Sequence, residues 1–152
     1  DERRRMIYTI FNFAMKCPVH YYTIAIKRKE AFDRVQLSGK LGKAINQMLN
    51  EHRDFVDTFD KVIVYYDNGQ RELSSILNAI FSIQLSNVEF RRADPREYKL
   101  LQVADFFCTV ELLKIKREES RLSKSEILFF YKPNELKKTF IKGIEKKKLK
   151  NC

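Results

Sequence analysis

The sequence predicts an α/β fold, a mixed sheet flanked by helices, in one domain over residues 1–152. Three observations lead there. Val62–Tyr66 is an unbroken run of β-branched and aromatic residues, too short for a helix, and reads as a strand buried on both faces. Apolar residues recur at helical intervals over 37–59 and 70–85. A second strand-like run, NVEFRR at 87–92, follows directly. A strand, helix and strand of this length form a crossover, so the two strands are expected to be parallel neighbours.

The opening residues 2–17 carry apolar side chains at 6, 10, 13, 14 and 17, with Ile7 and Phe11 beside them, and predict a helix that Pro18 ends. There is no initiator Met, which points to a natural N-terminus further upstream. VHYYTIAIK at 19–27 is rich in strand formers and predicts a strand with His20 at its start. From 37 to 59, Leu41, Ala44, Ile45, Met48, Leu49, His52, Phe55, Val56 and Phe59 predict one long amphipathic helix, bent near Asp54, with His52 on the apolar side as a core or boundary residue. SGKLGK at 38–43 lacks the spacing of a phosphate loop and has no strand before it, so it reads as a helix start.

After the central strand, Asn68-Gly69 turns the chain into a helix whose stripe is Leu73, Ile76, Leu77, Ile80 and Phe81. Asp94-Pro95-Arg96-Glu97 has the residues of a helix start. The helix that follows, to about Lys116, is apolar nearly all round through Val110 and is expected to be buried. One line on it is polar: Tyr98, Gln102, Asp105 and Thr109. Ser123 and Glu126 form a capping box for a short helix, and Pro133-Asn134 breaks the chain again. The final helix has Leu136, Phe140, Ile141 and Ile144 on one side and lysines elsewhere.

The chain has a formal net charge of +10, which favours an anionic partner, nucleic acid first and a membrane surface second; solubility alone is the plainer explanation. No apolar run reaches membrane-spanning length and no signal peptide is visible, so no membrane partner is expected. The three cysteines, Cys17, Cys108 and Cys152, have no metal-type spacing and suit a reducing, cytoplasmic setting, with Cys17 and Cys108 read as core residues. Arg91, Arg92 and the lysines of the last helix, among them Lys137, Lys138 and Lys142, are the candidate contacts to a phosphate backbone.

Two carboxylates stand out. Asp67 ends the central strand, where open α/β sheets place ligands. Asp105 sits on the apolar helix, where an unpaired charge is costly, so a cleft, a metal or a donor should face it. If the two converge, paired acids suit Mg²⁺ or Mn²⁺ and metal-assisted phosphodiester hydrolysis, with Gln70, Glu72 and Gln102 near enough in sequence to complete the shell. The structural alternatives are a helix cap at Asp67 and an ion pair at Asp105. Nucleophilic catalysis is disfavoured: Cys108 has no evident His partner, and no GxSxG occurs.

Tyr66-Asp67, followed later by Leu101-Gln102-Val103-Ala104-Asp105, resembles the domain of unknown function 3800 (DUF 3800) proteins of bacteria and phages, over nearly the whole chain. That resemblance implies an RNase H-like fold and makes Asp67 and Asp105 catalytic metal ligands of a nuclease-like site. The family usually opens with a strand bearing Asp-Glu-Ser-Gly, which supplies a first acid. Here Asp1-Glu2 runs into Arg3-Arg4-Arg5 and a helix instead, so either the first strands are lacking, which would leave the metal site incomplete, or the protein does not need them. A sheet edge left open in this way would be covered by another copy or a partner chain. The rival functions are nucleic-acid binding without cleavage and a protein-interaction module, for example in bacterial or phage defence.

Overall fold

A computed structural model describes residues 2–67, 69, 71–130 and 134–150. The chain divides into two compact units, 1–23 with 102–149, and 24–101 with 150–152. The class is α/β: helices throughout, and among the described residues one sheet of two parallel strands. No helix among these residues is long and apolar enough to cross a membrane.

The second unit carries the sheet. A 3-10 turn at Arg28–Glu30 leads to helix α2, Arg34–Glu51, whose N-cap is Asp33: its carboxylate accepts the Gln36 N–H at 2.8 Å. The long helix expected over 37–59 thus begins earlier and breaks at His52, where a short helix α3, Arg53–Val56, takes over. His52 is buried, as its apolar setting predicts. Residues 38–43 lie inside α2, away from any phosphate-loop geometry.

Strand β1, Val62–Asp67, pairs in parallel with β2, Val88–Ala93, in a register that puts Val62 opposite Val88 and Asp67 opposite Ala93. Helix α4, Arg71–Gln84, connects them. It packs on α2 where Gly42 comes close to Ile76 and Ile80. Its expected stripe is inward but only half-buried. Burial of β1 on both faces is not found: Ile63 and Tyr65 are 38% and 37% exposed, while Val62, Val64 and Tyr66 are half-buried. One helix covers one face of a two-stranded sheet, and alternation sends every second side chain to the other face. Asn68 and Gln70 lie outside the described residues.

The first unit is helical. Helix α1, Glu2–Lys16, turns Ile7, Ile10, Phe11, Ala14 and Met15 inward and leaves Met6 and Phe13 exposed, so its buried stripe is rotated from the expected one. Helix α5, Lys99–Glu118, belongs to this unit from Gln102 onward. It buries Val103, Phe106, Phe107, Val110, Glu111 and Leu113. Helix α6, Lys124–Phe129, has the predicted capping box, with both of its hydrogen bonds formed. A π-helical segment, Leu136–Ile141, continues into helix α7, Lys142–Glu145. Phe140, packed against Tyr8, Phe11, Phe106 and Phe130 at ring-centroid distances of 5.1–6.1 Å, is the centre of the core.

Three further expectations are corrected. Residues 19–27 form no strand: the one β-bridge there is the isolated parallel bridge from Tyr21 to Lys148. Asp94 is not a helix cap but the pivot of a turn, accepting the Arg96 N–H at 2.8 Å and its guanidinium at 2.5 Å, and α5 starts only at Lys99. Helix α5 is buried on one face alone; Ala104, Asp105, Cys108, Thr109 and Leu112 are exposed. Cys108 is therefore not a core residue, and Cys17 is half-buried; Cys152 lies outside the described residues.

Candidate nucleic-acid interface

The parallel strands end together at Asp67 and Ala93, and the first turns of α4 rise beside them. Between helix and strands lies a cleft of about 690 Å³ lined by Tyr66, Arg71, Ser74, Ser75, Asn78 and Arg92. Chain geometry explains the set. Tyr66 and Arg92 are register partners on the α4 side of the sheet. Arg71, Ser74, Ser75 and Asn78 share one face of α4 at intervals of three and four. Ser75 Oγ donates to the Arg71 carbonyl at 3.1 Å, and Asn78 Nδ2 to that of Ser74 at 2.8 Å, so both point back along the helix.

Arg71 and Arg92 give the cleft its charge. Among the described residues neither guanidinium has a carboxylate within ion-pair distance, unlike Arg34, which meets Glu72 at 3.4 Å, or Arg96, held by Asp94. Two arginines without a carboxylate among the described residues, beside Tyr66 and the first turns of a helix, make a site for a phosphate group.

The opposite face of the sheet is ordered differently. Glu89 accepts Arg91 Nε and Lys61 Nζ, each at 2.6 Å. The Arg91 guanidinium holds the Glu89 carboxyl down at about 2, with Lys61 adding to the effect. Arg91 Nη1 also donates to the Tyr65 hydroxyl at 3.1 Å, and Tyr65 stands 5.2 Å from Tyr98, centroid to centroid.

Of the residues singled out in the sequence, Arg92 is in the cleft and Arg91 is beside Tyr65. Lys137, Lys138 and Lys142 are exposed in the other unit. Glu72 is exposed and paired with Arg34; Gln102 is half-buried on α5; Gln70 lies outside the described residues. Asp67 ends β1 as expected, half-buried, with its Oδ1 accepting the Gly69 N–H at 3.1 Å in a local turn; Gln70, its expected partner in a helix cap, lies outside the described residues. Asp105 is solvent-exposed, so the burial cost that called for a partner does not arise. The two acids belong to different units, and neither unit brings both together. Among the described residues no three His, Cys, Asp or Glu side chains are grouped to hold a metal ion. The Cys108 thiol is pushed up by desolvation and by the nearby Asp105 charge, away from nucleophilic use. Sequence reasoning missed Arg71, Ser74, Ser75 and Asn78. The signal available was a polar i, i+3, i+4, i+7 line on α4 that begins with a cation.

No family model, curated protein or solved structure matches the chain.

Proposed function

We propose that this protein binds nucleic acid and holds its phosphate backbone in the cleft between α4 and the carboxyl ends of β1 and β2. The supporting observation is the pair of arginines, Arg71 and Arg92, that face this cleft without a carboxylate partner among the described residues. The positive balance of the chain adds long-range attraction for a polyanion. The test is anisotropy titration of a labelled oligonucleotide across a salt series. Replacing Arg71 and Arg92 together by Ala should weaken binding about 10-fold or more and flatten the plot of log K against log salt by about two phosphate contacts. Arg96→Ala, which removes an arginine already held by Asp94, should leave binding unchanged. Wild-type affinity and slope in the double variant would refute this reading.

A second reading is Mg²⁺- or Mn²⁺-dependent phosphodiester hydrolysis by an RNase H-like protein related to DUF 3800. The place of Asp67 at the carboxyl end of a parallel strand favours it, because ligands gather there in open α/β sheets. In that reading Asp67 and Asp105 are the ligands, and the bound ion supplies Lewis-acid stabilisation of the phosphoryl oxygens. Nuclease assays with each ion compare wild type with Asp67→Asn and Asp105→Asn. Equal cleavage by all three, or none by the wild type, removes it.

A further inference from the structure

We infer that the sheet face opposite α4 is a stacking platform for the bases of single-stranded nucleic acid, formed by Tyr65 and Tyr98 with Arg91 at its side. This rests on the nucleic-acid reading above and names the strand state it selects.

Tyr65 and Tyr98 are 37% and 42% exposed, and their ring planes are inclined by 37°. An aromatic pair usually buries its area; this one presents much of it to solvent. The rings are also held in place. Arg91 donates to the Tyr65 hydroxyl and sits 5.9 Å from its ring centroid, while Glu89 fixes the same guanidinium. A platform whose rotamers are already set loses little entropy when a base settles on it.

Charge complementarity decides the occupant. Arg91 lies at Tyr65, and Arg91 and Lys61 both pair with the one carboxylate Glu89, so this group of three on the Tyr65 face is net positive. Aromatic faces set among cations are how proteins take hold of single strands, whose bases have free π-faces; a duplex keeps those faces stacked inside. The platform is also continuous with the phosphate cleft. Tyr66 and Arg92, the next residues along β1 and β2, line the cleft on the other side of the sheet. Among the described residues no strand pairs with the outer edge of β2. A single strand crossing that edge meets phosphate donors on one side and stacking rings on the other.

The experiment uses a short fluorescent single-stranded oligonucleotide, its duplex, and an iodouracil-substituted copy for photocrosslinking to the wild-type chain. The expected result is preference for the single strand and crosslinks mapped to Tyr65 or Tyr98. Tyr65→Ala and Tyr98→Ala should each weaken single-strand binding by about 5- to 100-fold, the range for losing one stacked base, with little change for the duplex. Tyr65→Phe, which keeps the ring, should retain most of the affinity. The crosslink does not depend on any variant folding. Single-strand binding that survives both alanine changes, or crosslinks that avoid both tyrosines, overturns the platform. If the Arg71 and Arg92 changes still weaken binding in that case, the cleft reading stands. A wild-type chain that binds neither form of nucleic acid, or that captures a protein instead, overturns both.

Discussion

Gly143→Ala should destabilise the helical unit although alanine is the better helix former. Gly143 has no positive φ, so glycine is not needed there for backbone conformation. It is needed for space. A Cβ at that position would lie 2.7 Å from both Cε2 and Cζ of Phe11, about 1 Å inside ordinary carbon contact. Phe11 cannot move aside freely, since its ring packs against Phe140 at 5.1 Å and Phe106 at 6.1 Å. Overpacking of this kind costs about 1–3 kcal/mol. The gain in helix propensity returns up to about 1 kcal/mol. Subtracting the propensity gain from the middle of that range leaves a net loss of about 1 kcal/mol, which for a chain of this size lowers the Tm by about 2–4 °C. Thermal and urea unfolding followed by circular dichroism measure it. The double variant with Phe11→Leu should lose less than the sum of the single changes, because a smaller side chain relieves the clash. A Gly143→Ala protein as stable as wild type, or strict additivity in the cycle, would show that the contact between α1 and α7 is not the constraint described.

Two other predictions concern ionisable groups. Tyr21 stacks on Phe107 at 4.4 Å and donates to the buried Glu111 at 2.7 Å; burial, then the Glu111 hydrogen bond, push its hydroxyl above the ordinary tyrosine value. The folded state therefore keeps this proton where the unfolded chain loses it, so the contribution is complete below about pH 10 and falls as pH rises further. Tyr21→Phe should remove part of the alkaline loss of stability and cost about 1–2 kcal/mol at neutral pH, since Glu111 is left short of a donor; an unchanged alkaline melting profile would contradict it. Glu126 is held down at about 2 by Lys116 first and then by the Ser123 N–H of the capping box. Its lowered value means stability present above the ordinary carboxylate range and lost as pH falls toward about 2. Glu126→Gln should flatten that acid limb, and an NMR titration of Glu126 with a midpoint near 4.5 would rule out the Lys116 and Ser123 contacts as its cause.

Much of the architecture is readable from residue order because it depends on local patterning. Helical spacing finds α2 and α4, the β-branched run finds β1, and the short return to strand formers finds β2 in a parallel crossover. Ser123 and Glu126 announce α6, and Leu136, Phe140, Ile141 and Ile144 announce the last buried face. These features arise from periodicity and caps, which act within a few residues.

Tertiary packing settles what local patterning leaves open. VHYYTIAIK has strand formers, but among the described residues no strand lies beside it, and β structure exists only with a partner, so one bridge from Tyr21 to Lys148 is the β pairing it makes there. Helix α5 is apolar on most sides, and only the position of its neighbours determines that Val103, Phe107 and Val110 are covered while Asp105 and Cys108 face out. The strand-end position of Asp67 is legible in VIVYYDNG, because a strand must stop where its apolar run stops. The cleft is not: Tyr66 and Arg92 are 26 residues apart, brought opposite each other by strand register, and α4 then lays Arg71, Ser74 and Asn78 across them. Order along the polymer sets which elements form; pairing and burial between distant residues set which side chains share a site.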